Sequence, residues 1–234
     1  LPFSSIPPNN NLMTNIARIF AVARKDIKSE LRTRYAITAM AVFILTTISM
    51  IVFATVGEKF NPELAAGVLW IIMFFTAMTG LAKSFVSEEE RGTGLLLQLS
   101  TTPTSVYFGK FFFTTCLSIV LNIAAILLFF LFTGLEVKNW LIFGSMIILG
   151  SVGLAASTTI ISAIISKAGT KNALFPVLAF PLLLPLILSG VQTTIISFVG
   201  ATWAEAQGDI ILMLCYSVVV IASSMLLFEY VWVE

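Results

Sequence analysis

Three consecutive carboxylates, Glu88, Glu89 and Glu90, open the longest polar interruption in a chain of 234 residues. Arg91, Gly92, Thr93 and Gly94 follow, and then a short apolar run holds Leu95, Leu96, Leu97 and Leu99 with Gln98 inside it. A Ser/Thr turn around Pro103 and the pair Gly109 and Lys110 end the stretch. In this order the residues read as a charged exit from one membrane helix, a glycine bend and a short amphipathic piece along the surface. The proline then turns the chain into the next span. Such a segment presents a rigid knob to a soluble partner. A plain solvated loop would have the same polarity but would need no second apolar patch, and the four leucines favour docking.

Catalysis by the chain itself has little to work with. There is no histidine, which removes the usual zinc, haem-ligand and Ser-His or Cys-His chemistry. No GxSxG, HExxH or GxxxxGK[ST] pattern occurs, so hydrolysis of peptide, lipid or nucleotide is not expected of it. Cys116 and Cys215 both lie inside apolar runs and read as buried thiols rather than a disulfide or metal pair. Energetic work would have to be supplied by another polypeptide.

The elements that must position the polar stretch are membrane helices. The chain is 58% hydrophobic and 11% charged, with a mean hydropathy of +1.01, where soluble domains carry roughly 25% charged residues. Net charge is +1, which gives no reason to expect a nucleic-acid partner. Six spans are expected at about 36–56, 65–86, 108–133, 140–166, 174–199 and 210–230, each close to the roughly 20 residues needed to cross the hydrocarbon. Of the lysines and arginines, only Lys59 and Lys138 fall on one side of this arrangement, and all the others fall on the side of Glu88. The positive-inside rule therefore predicts that both termini and the Glu88 stretch are cytoplasmic.

Ahead of the spans, residues 14–34 place Ile16, Ile19, Phe20, Ala23, Ile27 and Leu31 at helical spacing, with Arg18, Lys25, Lys28 and Arg32 mainly elsewhere on the wheel. A basic amphipathic helix in the membrane interface is predicted, in contact with lipid and a candidate contact for a cytoplasmic partner. Residues 1–13 are polar and proline-broken and read as a disordered or non-native leader ahead of a start at Met13.

Within the spans, small residues four apart (Thr76 and Gly80, Ser151 and Ala155, Gly153 and Ser157) predict close helix packing. Pro176, Pro181 and Pro185 predict a kinked or broken fifth span, read either as a packing kink or as a gate. The segment 200–209 reads as an acidic external loop with Trp203 at the interface. No span carries an ionisable residue near its midpoint, which argues against an ion-coupled carrier.

Four patches taken in order resemble haem exporter protein B, the CcmB-type membrane subunit of the cytochrome c maturation ABC transporter. They are Arg24-Lys25-Asp26-Ile27 with Glu30 and Arg32; Ala66-Gly67-Val68-Leu69-Trp70-Ile71; Phe85, Glu88, Glu90, Gly92-Thr93, Pro103 and Gly109-Lys110; and Phe175-Pro176-Val177-Leu178 with Pro181 and Pro185. Gly94 and Gln98 depart from the family pattern, which expects a more acidic or leucine-only run there.

The resemblance implies an all-α ABC-2 type permease in the inner membrane, without enzymatic activity of its own. ATP would be held by a partner ATPase, haem would be the possible cargo, and no cofactor would be bound by this chain. A haem-handling membrane subunit and a second copy of the chain would complete the complex. The same resemblance implies that residues 88–103 meet the ATPase. Glu88 and Glu90 would pair with its basic groups or favour a helix N-terminus, Gly92 would allow the bend, and Leu95, Leu96 and Leu99 would fill an apolar groove. A permease for a lipid, glycan or drug, or an assembly factor that transports nothing, are the rival readings.

Overall fold

The computed structural model describes residues 12–33, 35–54, 61–81, 83–90, 92–94, 97, 99, 101–166 and 174–233. The expected leader and the expected loops at 57–64 and 167–173 fall largely or wholly outside these residues. Eight helices run through the described residues: α1 Leu12–Thr33, α2 Tyr35–Ala54, α3 Pro62–Thr76, α4 Lys83–Glu90, α5 Pro103–Thr133, α6 Trp140–Ser166, α7 Leu174–Val199 and α8 Trp203–Val233. A π turn, Ala77–Leu81, continues α3 toward α4. No strand occurs among the described residues. The chain is an all-α membrane protein.

Among the described residues, five helical stretches are long and apolar enough to cross a bilayer: Pro62–Val86, α5, α6, Val177–Val199 and Trp203–Trp232. The first expected span, 36–56, falls on α2, whose described apolar part is the shorter stretch Thr38–Ile51. α6 and α7 occupy the expected ranges because uninterrupted hydrocarbon runs fix both of their ends. Elsewhere helix extends past the hydrocarbon. α3 starts at Pro62, where Asn61 caps by accepting from the Leu64 N–H at 2.8 Å and proline takes the first helical position.

Two expectations are corrected by local chemistry. The segment 200–209 is helix from Trp203 onward: Glu205 supplies the carboxylate half of a capping box, its Oε1 accepting from the Thr202 N–H and hydroxyl (3.1 and 2.8 Å), and α8 begins at Trp203. The fifth span is not broken either. α7 passes through Pro181 and Pro185 as one helix, and the Tyr216 hydroxyl of α8 donates to the Leu182 carbonyl on that stretch at 3.0 Å.

α6 is the central helix and packs against α5, α7, α8 and α4. The expected close packing is present. A Cβ on Gly153 would lie 2.7 Å from Leu186 of α7, and one on Gly80 would overlap the sulfur of Met40 of α2. Trp70 of α3 is wholly buried, seated against Gly150 of α6 and Gly190 of α7, and its indole N–H donates to Thr194 Oγ1 at 3.0 Å. Asn122 of α5, the most polar group in mid-span, donates to Ser151 (2.9 Å) and Ser118 (3.3 Å), so its amide is satisfied inside the bundle. Cys116 and Cys215 are both free and exposed on outward faces of α5 and α8, which corrects their reading as buried thiols.

Candidate coupling site

The Glu88 stretch is built into the end of the bundle beside α1. Gly92 has φ +65, and the Thr93 N–H reaches back to the Glu88 carbonyl at 3.0 Å. This is the Schellman ending, with glycine at the left-handed position and the following N–H bonded to the carbonyl five residues before it. It terminates α4 and turns the Thr93 hydroxyl onto Glu88 Oε2 at 2.5 Å. The Glu-x-x-x-Gly-Thr spacing of residues 88, 92 and 93 is therefore a helix stop that also fixes a carboxylate.

Two lysines close on that carboxylate. Lys25 of α1 donates to Glu88 Oε1 at 2.5 Å, and Lys110 of α5 lies 3.4 Å from the same oxygen. Lys110 also meets Asp26 Oδ2 at 3.1 Å and the Ser84 carbonyl at 2.8 Å, and its ammonium stands 4.9 Å from the centroid of the Phe85 ring. The Lys110 side chain is only 1% exposed, those of Asp26 and Glu88 about a tenth, and that of Lys25 45%. Two cations and two anions thus neutralise each other, tying α1, α4 and α5 at one point. Burial pushes the Glu88 carboxyl up, but Lys110, Lys25 and the hydrogen bonds from Lys25 and Thr93 outweigh it and hold the group at about 2.

Gly109 makes the meeting possible. A Cβ there would lie 2.7 Å from Val22 Cβ and 2.9 Å from the Ile19 carbonyl oxygen, so only glycine lets α1 lie directly across α5. Asp26, one turn after Val22, then falls beside Lys110. α4 is pinned to the central helix by the Phe85 N–H, which donates to Ser162 Oγ of α6 at 3.0 Å.

The sequence-predicted residues therefore divide. Lys25, Asp26, Glu88, Thr93, Gly109 and Lys110 converge on one cluster. Arg24 and Arg32 point outward from α1 and Glu30 is half-buried there, while Pro103 occupies the first turn of α5 after Thr102. Leu99 is 74% exposed, whereas Leu97, which the coupling set omitted, is buried. The side chains of Glu90, Leu95, Leu96 and Pro176 lie outside the described residues. Glu88 is not the exposed, outward-facing group its position in a polar stretch suggests, because its partners are in its own chain. Pro181 and Pro185 sit within α7, away from this cluster.

Sequence reasoning missed the C-terminal end of α8. Phe228 and Trp232 stack at 5.3 Å and meet Phe85 at 5.3 and 6.0 Å, and Phe228 also meets Tyr107 at 5.5 Å. The aromatic pair four residues apart near the end of an apolar helix was its visible signal. No group of acidic, histidine or cysteine residues suited to a metal occurs among the described residues.

Comparison with known proteins agrees with this architecture. No curated protein matches the sequence. A family model described as CcmB protein matches residues 17–228, nearly the whole chain. The chain belongs to the CcmB protein family.

Proposed function

We propose that this chain is the permease subunit of an ABC transporter serving cytochrome c biogenesis, and that it converts ATP hydrolysis by a partner ATPase into movement of its membrane helices. The observation that carries the reading is the buried cluster of Lys25, Asp26, Glu88 and Lys110, supported by family membership. A segment outside the hydrocarbon that only linked two spans would have no need of four charges locked to two other helices. Here any push on residues 88–102 passes directly to α1 and α5, and through Phe85 to α6 and α8.

Among the described residues of this segment, Leu99 is the apolar group left outward, and it is the residue we assign to the ATPase groove. Both termini and the segment are cytoplasmic in this proposal, the membrane is the inner membrane, and haem is the cargo handled with a neighbouring membrane subunit. A second copy of the chain completes a two-plus-two complex.

The test is Leu99→Asp, with copurification of the ATPase and haem-stained c-type cytochrome measured on the same cells. An aspartate placed in an apolar contact without a partner is strongly disfavoured, yet at an exposed position it leaves the fold intact. Loss of both signals from a chain still present in the membrane supports the reading. Retained ATPase with normal cytochrome overturns the docking assignment. Lost docking with unaffected cytochrome but altered export of a lipid or drug would favour the rival cargo.

A further inference from the structure

α1 carries three stripes, and only one of them is buried against the rest of the chain. Val22, Ala23 and Asp26 are buried against the bundle. At about 100° per residue, Ile16, Phe20, Ile27 and Leu31 fall within an arc of roughly 60° on another side. All four are exposed, at 52, 57, 39 and 60%. Arg24, Lys28 and Arg32, spaced four apart, form the stripe directly beside them, and all three are exposed. None of these three has an ion pair among the described residues, whereas Lys25, on the far side of the basic stripe, is committed to Glu88.

The contact of Phe20 with Phe112 decides what covers the apolar stripe. The two rings meet edge to face at 5.7 Å, and Phe112 is itself 44% exposed on α5. From Phe112 the same outward side of α5 continues through Val120, Ile123 and Leu127, all exposed, along a membrane-spanning helix. The open stripe of α1 is thus continuous with a surface that faces hydrocarbon. A soluble partner cannot occupy it, and the cations flanking it are held at headgroup depth.

We infer that Arg24, Lys28 and Arg32 form a binding surface for anionic phospholipid headgroups, with Ile16, Phe20, Ile27 and Leu31 inserted beside the acyl chains. The inference holds whichever cargo the complex carries. Each cation close to an anionic surface strengthens attachment roughly fivefold, and salt screens the effect. The buried stripe remains clamped by Asp26 and Lys110, so lipid and bundle grip α1 independently.

The experiment uses the full chain reconstituted in vesicles of phosphatidylcholine alone or of phosphatidylcholine mixed with phosphatidylglycerol, with amide hydrogen exchange followed over α1 and α5. The expected result is slower exchange in α1 when phosphatidylglycerol is present, by roughly fivefold or more, with α5 unchanged. Raising the salt concentration removes the difference in the wild-type chain. The triple change Arg24→Gln, Lys28→Gln, Arg32→Gln abolishes it, and Arg24→Lys with Arg32→Lys retains it. Equal exchange in the two lipids at low salt overturns the inference, as does protection of α1 that appears only on adding the ATPase. Should the triple variant fail to fold, the salt titration of the wild-type chain alone decides between these outcomes.

Discussion

Lys110 is the residue with most at stake. Its ammonium is buried with two carboxylates, a carbonyl and a ring face as partners. Removing one member of a buried charge network leaves the others uncompensated, at about 3–5 kcal/mol. Lys110→Met is therefore expected to lower unfolding stability in detergent by that amount. Lys25→Met should cost clearly less, because its half-exposed ammonium is partly solvated and exposed pairs contribute about 0–1 kcal/mol.

The same cluster sets an acid limit. Glu88 is depressed from 4.5 to about 2, so its contribution is fully present above about 4.5 and is lost as pH falls through about 2. Glu88→Gln should flatten the pH dependence of unfolding over that window, and an unchanged slope would contradict the assignment. The sequence showed that Glu88, Asp26 and Lys110 belong to motifs but not that they meet. The pairs lie 84 and 22 residues apart, and helical periodicity carries no information about which polar faces of different helices touch.

At the scale of elements, hydrocarbon runs made α6 and α7 legible to the residue, while polar caps moved the starts of α3 and α8 outward and Pro103 at the first helical position started α5 early. Capping depends on single hydrogen bonds at residues such as Asn61 and Glu205, which hydropathy does not weigh. Of the two outcomes that the prolines of α7 suggested, a kink or a break, the break does not occur, because helix continuity there is supported by neighbouring helices that a sequence reading cannot see. The small residues, by contrast, were read correctly as packing sites. Gly190, facing Trp70, makes a further seat of this kind, because a Cβ there would overlap the indole ring at 1.8 Å. Gly190→Ala is expected to destabilise the bundle by about 1–3 kcal/mol, the usual range for overpacking. Trp70→Phe in the same chain should recover part of that loss, which thermal unfolding of the single and double variants would show.

For the whole molecule, the charge asymmetry between the two ends of the bundle predicts topology. Reporters fused after Asn139 or Thr202 should read as external, and those after Thr101 or Thr170 as cytoplasmic. A cytoplasmic signal at Asn139 would overturn the arrangement. The fold class and the membrane character were legible from composition, and the family from four patches spread along the chain. What those patches do physically was not legible, because one of them seats a tryptophan between two other helices and two of them close a charge cluster.

The central claim is that this cluster links the cytoplasmic segment to the membrane helices, and a charge exchange across it is the most direct measurement. Asp26→Lys and Lys110→Glu, singly and together, are compared for ATPase copurification and haem-stained c-type cytochrome at matched membrane abundance. Each single change places a charge beside its own kind and is expected to abolish cytochrome assembly. The double change restores two cations facing two anions and should recover a substantial part of it. Normal cytochrome in either single variant, or a double variant no better than the singles, would contradict the account.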